Sequence, residues 1–286
     1  MYHDDDIPVA VPVPIPVVPV ANAPPAPLRG SMHDQKKQSS FFVATTHEGN
    51  KQLSQQQLDQ LRSQGYTEGL SHEMLLFTKT FSLRYWLVDN SGSMSNADGN
   101  RLVNTKNSKT PFKMVPCSRW KEIQETIDYH VQLAALLEAP TTFRLLNNPG
   151  AHVGPQEFSI ATNGPEFIQR DLNIARETIM KGSPIGVTPL CKHIHEIREE
   201  IFELAPMLSQ QGRKVAIIIA TDGLPTNEYG IGGRQQNVEF TEALRLLEGL
   251  PVWIVIRLCT DEDNVVEVSF AAVENFYPFN KHKIFV

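Results

Sequence analysis

The segment KVAIIIAT at residues 214–221 constrains the fold more than any other part of the chain. Its apolar residues follow one another without the polar–apolar alternation of a half-exposed strand. A continuous apolar run of this length is typical of a strand that is buried on both faces. Both faces need a cover, so the sequence predicts a sheet that lies between layers of helices.

Strands and helices alternate from Phe81 onward. The predicted strands are 81–88, 141–147, 214–221 and 251–259, with a short edge strand at 156–161. Apolar side chains that recur every three or four residues predict helices at 119–138, 168–179, 190–208, 240–247 and 265–272. A helix between two strands makes their connection a parallel crossover. The pattern therefore predicts an α/β fold with a doubly wound, mostly parallel sheet and helices on both faces.

Two segments precede this main domain, which spans 81–286. Residues 1–40 are predicted to be a disordered proline-rich tail, because proline offers no amide donor to a sheet and favours an extended chain. Residues 41–80 are predicted to be a short helical segment that docks on the main domain, with helices at 53–65 and 71–77.

The tail carries one candidate interaction motif. Pro24 and Pro27 are followed by Arg29, an arrangement found in ligands of SH3-type domains. A spacer without a partner has the same composition, and the spacer is the default interpretation of such a segment.

Composition and charge exclude several classes of protein. The formal net charge of −6 argues against a nucleic-acid-binding protein. Three scattered cysteines without a CxxC pair exclude a disulfide scaffold and a cysteine-rich zinc site. No apolar run is long enough for a transmembrane helix, and the start of the chain has three aspartates where a signal peptide has basic residues. We therefore expect a cytoplasmic protein that does not bind membranes.

Side chains with oxygen atoms stand at three junctions of the predicted elements. Asp89, Ser91 and Ser93 follow the first strand, and Asp222 ends the central apolar strand. Thr188 stands at the predicted N-cap of the long helix, with Pro189 as its first residue. Ligands of such sheets bind at the carboxyl ends of the strands. Side chains two residues apart in an extended segment face the same way, so the aspartate and the two serines can converge there.

Two carboxylates and three hydroxyls form a set of hard oxygen donors, which Mg²⁺ prefers. Each residue alone also has a simpler interpretation, as a helix cap or a turn residue. Their joint occurrence at three positions of one crevice favours the metal site.

These three motifs resemble the metal-ion-dependent adhesion site of von Willebrand factor A (vWA) domains. The DxSxS motif appears as Asp89 to Ser93, the distant threonine as Thr188 in GVTPL, and the second aspartate as Asp222 in TDG. The resemblance covers about residues 81–280 and implies a Rossmann-like domain that binds Mg²⁺ or Mn²⁺. It implies direct ligation by the serines and, in one state, by the threonine, with the aspartates acting through water. It also implies that an Asp or Glu of a partner protein completes the coordination shell.

Two segments depart from the vWA pattern. After Val273 the chain leaves room for a final strand at 282–286 but not for a closing helix, so we expect an incomplete C-terminal edge. The segment 95–120 looks like an insertion, in which the runs NRLV and FKMV can form a hairpin. Its basic residues outnumber its one acidic residue, Asp98, and are predicted to form a basic rim: Arg101, Lys106, Lys109, Lys113 and Arg119. The rim would attract an acidic partner; a solvated loop is the alternative.

The main prediction is therefore a metal-dependent protein-interaction module that is not an enzyme. The alternative is an enzyme that uses the same Mg²⁺ for phosphoryl transfer or hydrolysis. The chain has no GxxxxGK[ST] loop, and Ser91 is not in a GxSxG elbow. A scaffold without metal binding is a third possibility, against which the intact set of five residues argues.

Overall fold

The computed structural model describes residues 52–105 and 112–276. The predicted tail at 1–40, the SH3-type motif and the strand at 282–286 lie outside the described residues. None of the described helices is long and apolar enough to cross a bilayer.

A five-stranded sheet forms the centre of the fold. Its strands are β1 (Phe81–Val88), β4 (Thr141–Leu145), β5 (Glu157–Ile160), β6 (Lys214–Thr221) and β7 (Val252–Leu258). They lie in the order β5-β4-β1-β6-β7. The pairs β1–β4, β1–β6 and β6–β7 are parallel, and only β5 runs antiparallel, at the edge. The prediction of a mostly parallel α/β sheet is confirmed.

A separate antiparallel hairpin leaves the sheet after β1. It consists of β2 (Gly99–Asn104) and β3 (Phe112–Cys117), which pair along their whole length. The hairpin predicted from the runs NRLV and FKMV is thus present.

Seven helices are described: α1 (Gln55–Ser63), α2 (Glu68–Thr80), α3 (Arg119–Leu136), α4 (Ile168–Lys181), α5 (Leu190–Gln210), α6 (Arg234–Arg245) and α7 (Asp263–Phe276). They cover both faces of the sheet, since α5, α6 and Ala272 of α7 pack in one hydrophobic core and α3 and α4 pack in another.

Strand β6 explains why two cores exist. Val215, Ile217 and Ile219 point into the core formed with α5 and α6. Ile218 and Ala220 point into the core formed with α3 and α4. Because successive side chains of a strand alternate between faces, a strand covered on both sides needs apolar residues at nearly every position. This is why the run at 214–221 predicted the layered fold.

Helices α1 and α2 pack at the end of the sheet where β4 begins. Ser54 and Gln57 form a capping box that starts α1. Gln57 Nε2 also donates to the carbonyl of Leu136 at 2.7 Å. Leu61 is fully buried against Leu137 and Ala139, which connect α3 to β4. The helical segment is therefore attached at the opposite end of the sheet from the carboxyl ends of its parallel strands.

We predict that Leu61→Ala destabilises the whole domain by about 2–4 kcal/mol, because it leaves a cavity in the contact between α1 and the end of α3. Urea unfolding measures the change. Leu70→Ala on α2 is the control, since Leu70 is about half exposed, and its effect should stay within about 0.5 kcal/mol. Equal effects of the two substitutions would contradict a docked α1.

Candidate metal centre

The candidate site lies where β1 and β6 end side by side. The last pair in register is Val88 with Ala220, and the backbone N–H of Asp89 donates to the carbonyl of Ala220 at 2.8 Å. From these strands the chain continues to opposite faces of the sheet, to α3 after β1 and to α6 after β6. Such a switch point opens a crevice between two parallel strands and is the usual ligand position in open α/β sheets.

Asp89 is fully buried at the bottom of this crevice. One carboxylate oxygen, Oδ1, accepts a hydrogen bond from the backbone N–H of Ser91 at 2.8 Å. The other, Oδ2, accepts one from the hydroxyl of Thr221 at 2.6 Å. Burial raises the pKa of Asp89 to about 6, although the hydrogen bonds from Ser91 and Thr221 favour the ionised form. The nearby negative charge of Asp222 adds to the increase.

The two serines connect to the second aspartate. The Oγ atoms of Ser91 and Ser93 are 3.0 Å apart, and Ser93 Oγ donates to Asp222 Oδ1 at 2.8 Å. Ser91 precedes a 3₁₀ turn at Gly92–Ser95, which bends the chain so that both hydroxyls come together. Ser93 is exposed while Ser91 and Asp222 are buried. The set therefore runs from the interior to the surface.

Thr188 lies beside this chain of hydrogen bonds. A Cβ atom placed on Gly223 would be 3.8 Å from Thr188 Oγ1 and 3.9 Å from Ser93 Oγ. Both hydroxyls therefore border the space above Gly223, and the absence of a side chain there keeps it open. The structure thus brings together all five predicted residues: Asp89, Ser91, Ser93, Thr188 and Asp222.

The predicted capping role of Thr188 is wrong by one residue. Pro189 occupies the N-cap position of α5, and the helix has no side-chain cap. The backbone of Thr188 is held instead by Thr226, whose hydroxyl accepts from the Thr188 N–H at 3.0 Å. Within the described part of the chain no hydrogen bond engages the Thr188 hydroxyl, which leaves it available to a ligand.

Two asparagines that the sequence analysis did not identify join the loops of the site. Asn90 Nδ2 donates to the carbonyl of Asn147 at 2.9 Å, and the Asn147 N–H donates to Asn90 Oδ1 at 2.8 Å. Asn147 Nδ2 then donates to the carbonyl of Val187 at 2.7 Å. The loops after β1 and β4 are thus tied to the loop that carries Thr188. Asn90 and Asn147 are 57 positions apart, so local sequence patterns gave no signal for this contact.

One position in these loops requires glycine. Gly186 has a φ of +82°, in the left-handed region, and an added Cβ atom would lie 2.4 Å from Asn147 Oδ1. Its carbonyl accepts from the Gly92 N–H at 3.2 Å, between the two serines. Gly186 therefore lets the threonine loop approach the serine loop closely.

Arg119 was assigned to a basic rim, and this prediction is wrong. Its side chain is only 3% exposed, and its Nη1 donates to Asp222 Oδ2 at 3.0 Å. Its other donors contact Asp98 and Glu262, and these hydrogen bonds, that of Asp98 above all, raise the pKa of Arg119. Arg101 pairs with Glu125 at 2.9 Å and Lys113 is exposed, whereas Lys106 and Lys109 lie outside the described residues.

The donor set fits a hard divalent cation. In residues 52–105 and 112–276, no group of three or more His, Cys, Asp or Glu side chains is placed to hold a metal ion. The candidate centre has a different composition, with two carboxylates and three hydroxyls, and all of its donors are oxygen atoms. Oxygen donors that leave room for water are the preferred environment of Mg²⁺.

Comparison with models of known protein families and with curated proteins finds no match. The resemblance to vWA domains therefore rests on the sequence motifs alone.

We predict that Asp89→Asn stabilises the metal-free protein. The pKa of about 6 in the folded protein exceeds the ordinary value of about 3.9, so folding becomes less favourable as the pH rises from about 4 through 6. The cost above pH 7 is about 3 kcal/mol. An amide avoids this cost and keeps the shape of the side chain. Its oxygen can still accept from the Ser91 N–H, and its NH₂ group can donate to the Thr221 hydroxyl, which can accept as well as donate.

Urea unfolding of both proteins in EDTA, from pH 4.5 to pH 8, measures this difference. The advantage of Asp89→Asn should be largest at pH 8 and should shrink towards pH 4.5. Asp59→Asn on the exposed surface of α1 is the control and should show no such trend. A variant that is less stable than the parent at pH 8 would contradict the prediction.

Proposed function

We propose that this chain contains a vWA-type domain that binds Mg²⁺ or Mn²⁺ and uses the cation to hold an acidic side chain of a partner protein. The metal would be held by Asp89, Ser91, Ser93, Thr188 and Asp222. The observation that carries the proposal is the continuous hydrogen-bonded set from Asp89 through Ser91 and Ser93 to Asp222. Beside this set lies the Thr188 hydroxyl, which makes no hydrogen bond to another described residue.

Each residue has a separate task in this proposal. The carboxylates of Asp89 and Asp222 provide two negative charges, about the charge of one divalent cation. The hydroxyls of Ser91, Ser93 and Thr188 provide oxygen donors without further charge. When bound, the cation supplies a positive centre with an open coordination position that an additional carboxylate can fill. Ser93 is exposed, so a cation bound to its hydroxyl would be reached from the surface of the domain.

Exposed apolar side chains on two loops next to the site support a protein as the partner. Ile185, Tyr229 and Ile231 are each more than half exposed. The Ile185 N–H donates to the carbonyl of Asn90 at 2.7 Å, so Ile185 lies next to the serine loop. Gly230 lies between Tyr229 and Ile231, and a Cβ atom placed on it would be 2.9 Å from Cγ1 of Val187. This loop therefore packs on Val187, next to Thr188. Exposed tyrosine and isoleucine beside a metal-held carboxylate are suited to a protein surface.

Metal binding gives the first test. Mn²⁺ or Mg²⁺ should raise the melting temperature, since a ligand of the native state adds about 2.7 kcal/mol at a concentration of 100 times Kd. Ser93→Ala and Asp222→Asn should bind the metal at least ten-fold more weakly in calorimetry. Asp59→Asn, which changes an exposed carboxylate far from the site, should bind normally. Absence of binding to the parent protein at millimolar metal would refute the proposal.

Thr188→Ala gives a second test that separates binding from folding. The Thr188 hydroxyl caps no helix and has no hydrogen bond within the described residues, but the side chain is buried. Thr188→Ala should therefore lower the free energy of unfolding in EDTA by about 1 kcal/mol, through the loss of one buried methyl group. The loss of a metal ligand should nevertheless weaken Mn²⁺ binding several-fold. Thr226→Ala is the comparison, because it removes the hydroxyl that accepts from the Thr188 backbone and should destabilise the metal-free protein by about 1 kcal/mol. A Thr188→Ala variant that binds Mn²⁺ normally would remove Thr188 from the site.

Partner binding gives the third test. A partner that is captured in Mg²⁺ should be released by EDTA, and it should be lost when its contacting Asp or Glu is changed to Asn or Gln. Tyr229→Ala should weaken the complex without changing metal affinity. A partner that binds at full strength in EDTA would show that the interaction does not use the metal.

A further inference from the structure

Arg119 is a buried cation directly beside the candidate metal centre. Its guanidinium contacts three carboxylates: Asp222 at 3.0 Å through Nη1, Asp98 at 2.7 Å through Nε, and Glu262 at 2.9 Å through Nη2. Asp222 is buried, whereas Asp98 and Glu262 are about half exposed. The guanidinium therefore lies between the interior of the site and the solvent.

Helix electrostatics do not favour a cation at this position. Arg119 is the first residue of α3, and the amino end of a helix carries a partial positive charge that disfavours a basic side chain. Its backbone N–H donates to the carbonyl of Asn96, immediately after the turn that holds Ser93. Contacts with carboxylates, not the helix, therefore stabilise this arginine, and the backbone holds it close to the serine loop.

Asp222 is shared between the arginine and the site. Its Oδ1 accepts from Ser93, and its Oδ2 accepts from Arg119. The guanidinium would then lie on one side of the Asp222 carboxylate, and a cation held by the oxygens of the site would lie on the other side. Like charges in that arrangement repel each other, and the guanidinium already neutralises part of the negative charge that would attract the metal.

We propose that Arg119 tunes the site by its charge: it weakens binding of the divalent cation and strengthens binding of the carboxylate that completes the coordination shell. The inference depends on the proposed metal function. It names the residue that sets the affinity of the site for the metal relative to its affinity for the carboxylate. The two effects have one cause, since a positive charge repels the metal and attracts the anion. A site without this arginine would hold the metal more tightly and attract a partner less.

The expected size follows from Coulomb's law. A unit positive charge about 7 Å from a divalent cation weakens binding of that cation by roughly seven-fold even at the dielectric constant of water. The buried position of Arg119 makes the effect larger, so roughly seven-fold is the lower estimate. For a carboxylate with a single charge the same calculation gives roughly a three-fold effect of opposite sign.

Two substitutions separate charge from geometry. Arg119→Gln removes the charge and keeps an amide donor near the position of Nε, which contacts Asp98. Mn²⁺ should therefore bind at least about seven-fold more tightly. Arg119→Lys keeps the charge but loses the planar fork that contacts three carboxylates, so its Mn²⁺ affinity should stay within about three-fold of the parent. Arg101→Gln is the matched control, because Arg101 of the hairpin pairs with Glu125 of α3 and not with the site. It should leave the Mn²⁺ affinity unchanged.

Acetate is the probe for the carboxylate position. In the Mn²⁺-saturated proteins, its binding displaces water from the metal and can be followed by water-proton relaxation. Arg119→Gln should bind acetate about three-fold more weakly than the parent, and Arg119→Lys should bind it normally. Opposite changes in the affinities for Mn²⁺ and acetate are the signature of a charge effect.

Glu262→Gln keeps the inference testable if Arg119→Gln does not fold. Glu262 is about half exposed, so its loss should be tolerated. Because it leaves the guanidinium less neutralised, it should weaken Mn²⁺ binding by about two- to three-fold. Glu125→Gln, which removes the partner of Arg101, is its control and should have no effect.

The outcomes distinguish the inference from the proposed function. If the parent protein binds no Mn²⁺, the proposed function fails. If the parent binds Mn²⁺ but Arg119→Gln binds it equally or more weakly, Arg119 only positions Asp222 and the charge inference is wrong. Equal losses of Mn²⁺ affinity in Arg119→Gln and Arg119→Lys would also show that the charge inference is wrong.

Discussion

The buried carboxylate of Asp89 is the constraint on which the rest of the site depends. It lies at the point where the two central strands separate, with no exposure to solvent. Removing a carboxylate from water is costly unless hydrogen bonds or a cation compensate for it. Ser91 and Thr221 donate to its two oxygens, and among the described residues its partners are neutral donors. The backbone turn after β1 and the end of β6 are thus both shaped around one negative charge.

The loops that surround this charge are held by contacts between distant parts of the chain. Asn90 and Asn147 connect the ends of two strands, and Asn147 also binds the carbonyl of Val187 next to Thr188. A site that needs oxygens from three loops must fix those loops, because a mobile loop would lose entropy when the ligand binds. The amides provide this fixation without adding charge. Charged residues in their place would alter the balance between the carboxylates and a bound cation.

The sequence predicted the sheet and its site to different extents. The apolar run of β6 determined the layered fold, because its alternate residues enter two separate cores. The spacing of Asp89, Ser91 and Ser93 predicted their convergence, because it depends on neighbouring residues only. Arg119 was misassigned to the surface, since its partners Asp98, Asp222 and Glu262 come from three different loops. Thr188 was misassigned as a cap because a hydroxyl before Pro189 satisfies the local pattern, whereas the tertiary contact with Thr226 decides its position.

The two aspartates of the site are neutralised in different ways. Asp222 has a guanidinium at 3.0 Å, which it shares with Asp98 and Glu262, so its charge is partly balanced within the protein. Within residues 52–105 and 112–276, the hydrogen-bond donors to Asp89 are neutral, and burial raises its pKa to about 6. In the metal-free protein the uncompensated charge is therefore that of Asp89, and a divalent cation would gain most of its attraction there. Arg119 thus partly neutralises Asp222 within the protein, whereas the charge of Asp89 would be balanced by a bound cation. If the proposed metal site is correct, this difference would make Asp89 the main source of its affinity for the cation.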